Sequence, residues 1–209
     1  MQKILIVDDH EVLRDGVKRV LDKPSGTITF GEAGTVQAAL KLVREQEWDV
    51  MVLDLSLGGR SGLEVLKELK QIRPGLPVLI LSMHSEEQYA RRAFKAGAAG
   101  YITKDTPRAE LVKAIKKVIS GGRYVSADLA ERLAFDLGRD TDRAPHEILS
   151  DREFEVMGLI ASGKTVGEIA DILSLSDSTI STYRTRILEK MAMKTNAEIT
   201  HYAIQNKLV

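Results

Sequence analysis

Asp8-Asp9, Asp54, Ser82 and Lys104 are the residues whose types and spacing could do chemistry. Each closes or directly follows a short apolar run: Lys3 to Val7, Val50 to Leu53, Val78 to Leu81, and Gly100 to Thr103. Such runs, without polar alternation, read as strands buried on both faces. In open parallel α/β sheets, ligands bind at the carboxyl edge of the strands. If these strands lie parallel in one sheet, that edge gathers three carboxylates, a hydroxyl and an ammonium in one cleft. Clustered carboxylates repel one another and need a cation; hard oxygen ligands with room for water suit Mg²⁺. The metal would screen Asp54 and orient a phosphoryl donor, so that a carboxylate oxygen attacks phosphorus in line. Lys104 offers a point charge for phosphoryl oxygens, and Ser82 a hydroxyl donor. Singly, a strand-end Asp or Ser is often a turn former and a strand-end Lys a solvated charge. The ordered set carries the signal.

Helical spacing fills the intervals that must position these residues. Val12, Leu13, Val17, Val20 and Leu21 form one stripe from His10 to Leu21, and Ile28 to Phe30 suggests another strand. Thr35 caps a helix carrying Ala38, Ala39, Leu42 and Val43. Ser61 to Glu64 and Ser85 to Gln88 read as capping boxes; the first helix ends near Pro74, the second at Gly97. Thr106-Pro107 predicts a cap and an N1 proline before a last helix to Ser120. Five strands alternating with five helices over residues 1–122 imply a doubly wound parallel sheet with helices on both faces.

The whole chain has 209 residues, 44% of them apolar, enough for one or two ordinary cores. Cys is absent, so there is no disulfide or thiolate site, which fits a reducing compartment. No apolar run reaches the length of a signal h-region or a membrane span, and a soluble, cytoplasmic protein is expected. Thirty basic and thirty acidic side chains cancel, so bulk charge points to neither nucleic acid nor membrane.

Residues 123–145 read as a linker, helical through Leu129, Leu133 and Leu137 and polar from Gly138 to Pro145. Residues 146–209 read as a small all-α domain of four helices. Capping boxes begin at Ser150, Thr165 and Thr195, and a further helix from Ser178 to Met191 buries Ile180, Ile187 and Met191. The joint from Ile172 to Ser176 has the length of a helix-turn-helix bend. Opposite the buried stripe lie Ser178, Ser181, Thr182 and Thr185, small enough to let a helix sink into a major groove, flanked by Arg184, Arg186, Lys190 and Lys194. The domain as a whole carries seven basic and nine acidic side chains. Basic charge is therefore local to one helix, and modest non-specific affinity is expected.

Residues 1–122 resemble a two-component receiver domain, with its acidic pair, phosphoacceptor, hydroxyl, aromatic and lysine present as Asp8-Asp9, Asp54, Ser82, Tyr101 and Lys104. The resemblance implies a flavodoxin-like fold, phosphorylation of Asp54 by a sensor histidine kinase, and Mg²⁺ held by Asp9, Asp54 and the Ser56 carbonyl, with Asp8 acting partly through water. It also implies a switch in which the Ser82 hydroxyl moves onto the phosphoryl group and the Tyr101 ring turns inward. One departure is Asp105, where many receivers have Pro after the Lys.

Leu149 to Glu153, Ile160 to Gly163, Glu168 to Ala170, and Ser178 to Lys190 resemble the LuxR-type helix-turn-helix of NarL/FixJ response regulators. That implies Ser181, Thr182 and Thr185 at base edges and Arg184, Arg186 and Lys190 at phosphates. The family often has Lys at the Ser181 position and His at the Tyr183 position, so base preference does not carry over. Asp151, Arg152 and Glu153 read as helix-start residues. Together the resemblances imply a transcription regulator whose phosphorylation promotes homodimerisation and binding to promoter DNA. One alternative is a phospho-switch whose last domain binds a protein. Another is a Mg²⁺-dependent aspartyl phosphohydrolase, which would want a second carboxylate where Ser56 stands. His10, His84, His146 and His201 lack ligand spacing and read as surface or loop residues, His84 being a candidate for influencing phosphoryl hydrolysis. Trp48 reads as core.

Overall fold

The computed structural model describes residues 2–21, 28–57, 60–136 and 144–209, with side chains described except at 132–136. Gly58-Gly59, Leu137 and the polar end of the expected linker at 138–143 lie outside the described residues, as do the side chains of Leu133 and its neighbours. The chain divides into two compact units, Met1–Glu131 and Arg132–Val209, so residues 123–131 of the expected linker belong with the first.

The first unit has strands β1 (Gln2–Val7), β2 (Ile28–Ala33), β3 (Val50–Leu53), β4 (Val78–Ser82) and β5 (Gly100–Thr103). Between and after them run α1 (Glu11–Leu21), α2 (Val36–Glu45), α3 (Gly62–Ile72), α4 (Glu86–Lys95), α5 (Arg108–Ile119) and α6 (Ala127–Asp136), the last crossing the division between the units. All pairings are parallel, in the order β2-β1-β3-β4-β5. This is the flavodoxin-like doubly wound arrangement, whose order reverses between β1 and β3. Strand alternation divides the core: Ile4, Ile6, Val50, Val52, Leu79 and Leu81 cluster with Val17 and Leu21 of α1 and Leu111, Ile115 and Val118 of α5. Leu5, Val7, Met51, Leu53, Ile80 and Tyr101 alternate with these and are equally buried.

Helix starts depart from the capping expected of them. Thr35 accepts the Ala38 N–H as predicted, but Ser61 and Ser85 make no side-chain cap bond. At α3 the start is set by backbone packing: the Gly62 N–H donates to the Leu55 carbonyl, and a Cβ on Gly62 would lie 2.4 Å from the Leu55 Cα. Pro107 is the N-cap of α5 and not its first helical residue, and the Thr106 hydroxyl pairs with Thr103. Val12, expected on the buried stripe of α1, is 85% exposed. Gly97 ends α4 at φ +100°, a conformation that favours glycine.

The second unit opens with a 3₁₀ turn (Pro145–Ile148), followed by α7 (Asp151–Ala161), α8 (Val166–Leu173), α9 (Asp177–Lys190) and α10 (Asn196–Gln205). Both capping boxes at Ser150 and Thr165 form. The third is half made: Thr195 caps Glu198, whose carboxylate accepts the Lys194 N–H instead of the Thr195 N–H. Helices α8, α9 and α10 pack on α7 around Val156, Met157, Ile169, Ile180, Ile187 and Ile199. The α8–α9 turn is made by Ser174 in the left-handed region at φ 52°.

Candidate functional site

Each site residue at the carboxyl edge is held by an extension of the sheet ladder. The Asp8 N–H donates to the Ala33 carbonyl at 3.1 Å, the Asp54 N–H to Val7 at 2.9 Å, and the Lys104 N–H to Ser82 at 2.8 Å. Because β1 and β3 are neighbours at the point where the strand order reverses, Asp8 and Asp54 come together there. Lys104 bridges them, its Nζ 2.7 Å from Asp8 Oδ2 and 2.7 Å from Asp54 Oδ2. Both carboxylates are buried, at 2% and 1% exposure. Burial pushes the Asp54 carboxyl above its ordinary value, and the Lys104 ammonium offsets this only in part. Burial would lower Lys104, but its bonds to Asp54 and Asp8 outweigh that and raise it.

Asp9 stands at the mouth, and His10, read from sequence as a surface residue, joins it. The His10 Nδ1 lies 2.7 Å from Asp9 Oδ1 and 3.2 Å from Asp8 Oδ1, while its N–H donates to Asp8 at 2.8 Å. Ligand atoms of Asp8, Asp9 and His10 all fall within 4.8 Å of one another. Asp54 Oδ1 is buried with no hydrogen-bond partner among the described residues. An orphaned carboxylate oxygen beside a second buried carboxylate, with one ammonium shared between them, is a donor set that fits a hard cation.

Ser82 is fully buried and accepts the His84 N–H at 3.2 Å. The Tyr101 ring, expected to turn inward on activation, is already inside: it is 0% exposed and its hydroxyl donates to the His84 carbonyl at 2.9 Å. Burial raises its phenol. His84 lies in the loop after β4, as read, and is half-buried there; it stacks on Tyr89 with ring centroids 4.3 Å apart, and its Nε2 lies 3.5 Å from Ser56 Oγ. Burial pushes its pKa below the ordinary imidazole value. Position just past Ser82 was the only sequence signal for it.

In the second unit, Ser181, Thr182, Thr185 and Arg186 are exposed along α9. The Thr182 hydroxyl donates to the Ser178 carbonyl at 2.9 Å and that of Thr185 to Ser181 at 3.0 Å, leaving their oxygens able to accept from a base edge. Two of the three cations expected at phosphates have partners inside the unit. Arg184 Nε donates to Asn196 Oδ1 at 2.6 Å, and Lys190 Nζ lies 2.7 Å from Glu153 Oε2. Glu153 and Arg152 are more than helix-start residues. Both are buried; Glu153 ties α7 to the end of α9, and Arg152 pairs with Glu155 at 2.7 Å. His146 is likewise no loose surface residue, since its Nδ1 pairs with the Tyr202 hydroxyl at 2.8 Å. His201 is exposed as read.

The profile of the family described as response regulator receiver domain matches residues 4–116, and that of bacterial regulatory proteins, luxR family, matches residues 147–203. Response regulator UvrY of Escherichia coli (strain K12) is 35% identical over 209 residues, which cover 100% of this chain and 96% of that protein. Response regulator GacA of Pseudomonas aeruginosa is 36% identical over 210 residues, covering 100% and 98%. Among solved structures, a LuxR-family two-component response regulator from Aurantimonas sp. is 36% identical with a TM-score of 0.59, over 66% of this chain and 98% of that one. The RcsB response regulator of Salmonella typhimurium shares the fold at 22% identity and a TM-score of 0.69, over 98% of each chain. No described helix is long and apolar enough to cross a membrane.

Proposed function

We propose, for a chain that belongs to the response-regulator family joining a receiver domain to a LuxR-type DNA-binding domain, that Asp54 is the phosphoacceptor and α9 the recognition helix. The observation that carries this is the buried Asp8–Lys104–Asp54 bridge at the carboxyl edge of the sheet. A carboxylate oxygen of Asp54 forms the new P–O bond as the bond from phosphorus to the donor's imidazole nitrogen breaks, and the imidazole takes up a proton. The ammonium of Lys104 sits where it can pair with a phosphoryl oxygen, and the Ser82 hydroxyl can donate to another. Asp8, Asp9, Asp54 and the Ser56 carbonyl would hold Mg²⁺, which supplies charge neutralisation when bound. The donor is a sensor histidine kinase, the compartment the cytoplasm, and the target double-stranded promoter DNA. Ser181, Thr182 and Thr185 read base edges. Arg186 meets phosphate, while Arg184 and Lys190 do so only by giving up the partners described above. Phosphorylation favours a homodimer, and two recognition helices on two half-sites gain effective concentration without a new base contact.

The test is acid-labile phosphate uptake from acetyl phosphate with Mg²⁺, followed by titration of a two-half-site DNA. Wild type and Ser56→Ala should take up label, since Ser56 contributes only its carbonyl, and Asp54→Asn and Asp54→Ala should not. Equal labelling of the Asp54 variants refutes the assignment.

A further inference from the structure

The chain leaves α5 along the edge of the sheet. Tyr124 forms a parallel bridge to Gly100, its N–H donates to the Ala99 carbonyl at 2.9 Å, and its hydroxyl donates to Glu110 Oε2 at 2.7 Å. Gly100 is needed for this approach: a Cβ there would lie 2.8 Å from Leu79 Cδ1 and 3.0 Å from the Tyr124 Cβ. Two residues on, Ser126 is held through its hydroxyl and its N–H, while its carbonyl accepts the Ala130 N–H at 3.0 Å. Its hydroxyl donates to Glu86 Oε2 at 2.5 Å, its N–H donates to Glu86 Oε1 at 3.4 Å, and its Oγ accepts the Leu129 N–H at 3.1 Å. One side chain thus caps α6 and fastens it to the first residue of α4.

Glu86 is the end of a short lever. It stands two residues past His84, whose N–H is on the Ser82 hydroxyl and whose carbonyl holds the Tyr101 hydroxyl. A Ser82 hydroxyl drawn toward a phosphoryl group on Asp54 either takes the His84 N–H with it, displacing segment 83–86, or breaks that bond and frees the segment to move. Ser126 cannot follow, because Tyr124 is pinned to Ala99 and Glu110. The Glu86–Ser126 pair is where the displacement must be absorbed. Resting on the phosphoacceptor reading above, we infer that this pair is a latch: it fixes the start of α6 in the unphosphorylated protein, and phosphorylation of Asp54 opens it.

Amide hydrogen exchange at Leu129 and Ala130 in the full chain tests this, with and without acetyl phosphate and Mg²⁺ and with Asp54 labelling measured in parallel. Phosphodonor should raise exchange in wild type about tenfold, equivalent to about 1.4 kcal/mol. Ser126→Asp keeps a capping oxygen for the Leu129 N–H but sets a carboxylate against Glu86, so latch loss is separated from cap loss. It should exchange at the raised rate without donor, show no further rise with it, and label normally. Ser126→Thr, which keeps the hydroxyl, should behave as wild type. Labelled wild type with unchanged exchange overturns the latch and leaves the phosphoacceptor assignment standing, and wild-type protection in Ser126→Asp does the same. Absence of label on Asp54 overturns both.

Discussion

Lys190→Ala and Arg186→Ala should separate folding from DNA binding, although both remove a cation from the same helix. The Lys190 ammonium lies 2.7 Å from Glu153 Oε2, an oxygen that also accepts the Ser150 N–H at 2.7 Å. Glu153 is 3% exposed, so losing the ammonium leaves a buried carboxylate short of a donor. A hydrogen bond to a charged group is worth roughly 1.5–3 kcal/mol. The Lys190 side chain is 41% exposed, and solvent screening brings the expected cost down to about 1–2 kcal/mol. Burial would raise the Glu153 carboxyl, but Lys190 and Ser150 outweigh it and the folded pKa lies below the unfolded one. The stabilisation is therefore present above the unfolded pKa and lost as pH falls through the folded one. Urea unfolding should show the full Lys190→Ala deficit at neutral pH and a smaller one in acid. Arg186 is exposed and has no partner among the described residues. Arg186→Ala should change stability by less than about 0.5 kcal/mol and flatten the slope of log K against log salt by about 0.9, the contribution of one phosphate. Lys190→Ala should leave that slope alone. If it instead lowers the slope by a full unit with no loss of stability, the Glu153 pair opens on DNA and the argument fails.

Gly62→Ala should destabilise the first unit by about 1–3 kcal/mol, as overpacking does, because the new Cβ would meet the Leu55 backbone at 2.4 Å; an unchanged melting temperature would mean that the start of α3 gives way freely. Asp54→Asn should be at least as stable as wild type at neutral pH. Burial raises the Asp54 carboxyl, so the ionised form costs stability that returns as pH falls through the raised pKa; melts at neutral and acid pH should converge, and a less stable variant at neutral pH would show that the Lys104 bridge outweighs burial.

The strands and the residues at their ends were legible because a strand buried on both faces leaves a contiguous apolar run, and each run here stops at a polar residue. The Ser150 and Thr165 boxes were legible for a similar reason, since both partners lie within one turn. The boxes at Ser61 and Ser85 do not form, although the sequence pattern is present. What the pattern could not announce are the contacts beside them: Gly62 is pressed against Leu55, and Glu86 at the start of α4 pairs with Ser126, 40 residues away. His84 lies in the loop after β4 as its position suggests, but its stacking on Tyr89, like the pairing of His146 with Tyr202, 56 residues away, is something that no local pattern announces. Glu153 looked like a capping residue and is one, but its second role toward Lys190 requires knowing that α7 and α9 pack together.

Internal pairing on α9 bears on why two DNA-binding units would be needed at once. Residues 146–209 carry seven basic and nine acidic side chains, so no broad positive field assists docking. Of the four cations between 178 and 194, Arg184 and Lys190 are engaged within the unit, and only the side chains of Arg186 and Lys194 have no partner among the described residues. Two phosphate contacts give a salt slope of about −1.8 for a single unit. Non-specific affinity at that charge would be weak, and the α9 hydroxyls proposed to read base edges would add to it only on the right sequence. A lone unit would then dissociate readily, while two units held together bind with a slope near −3.6 and an avidity set by their linkage. Titration of one and of two half-sites over a range of salt should therefore give slopes in a ratio of about two. A single-site slope already beyond about −3.5 would require Arg184 and Lys190 to leave their partners on binding, and dimerisation would no longer be needed to account for tight binding.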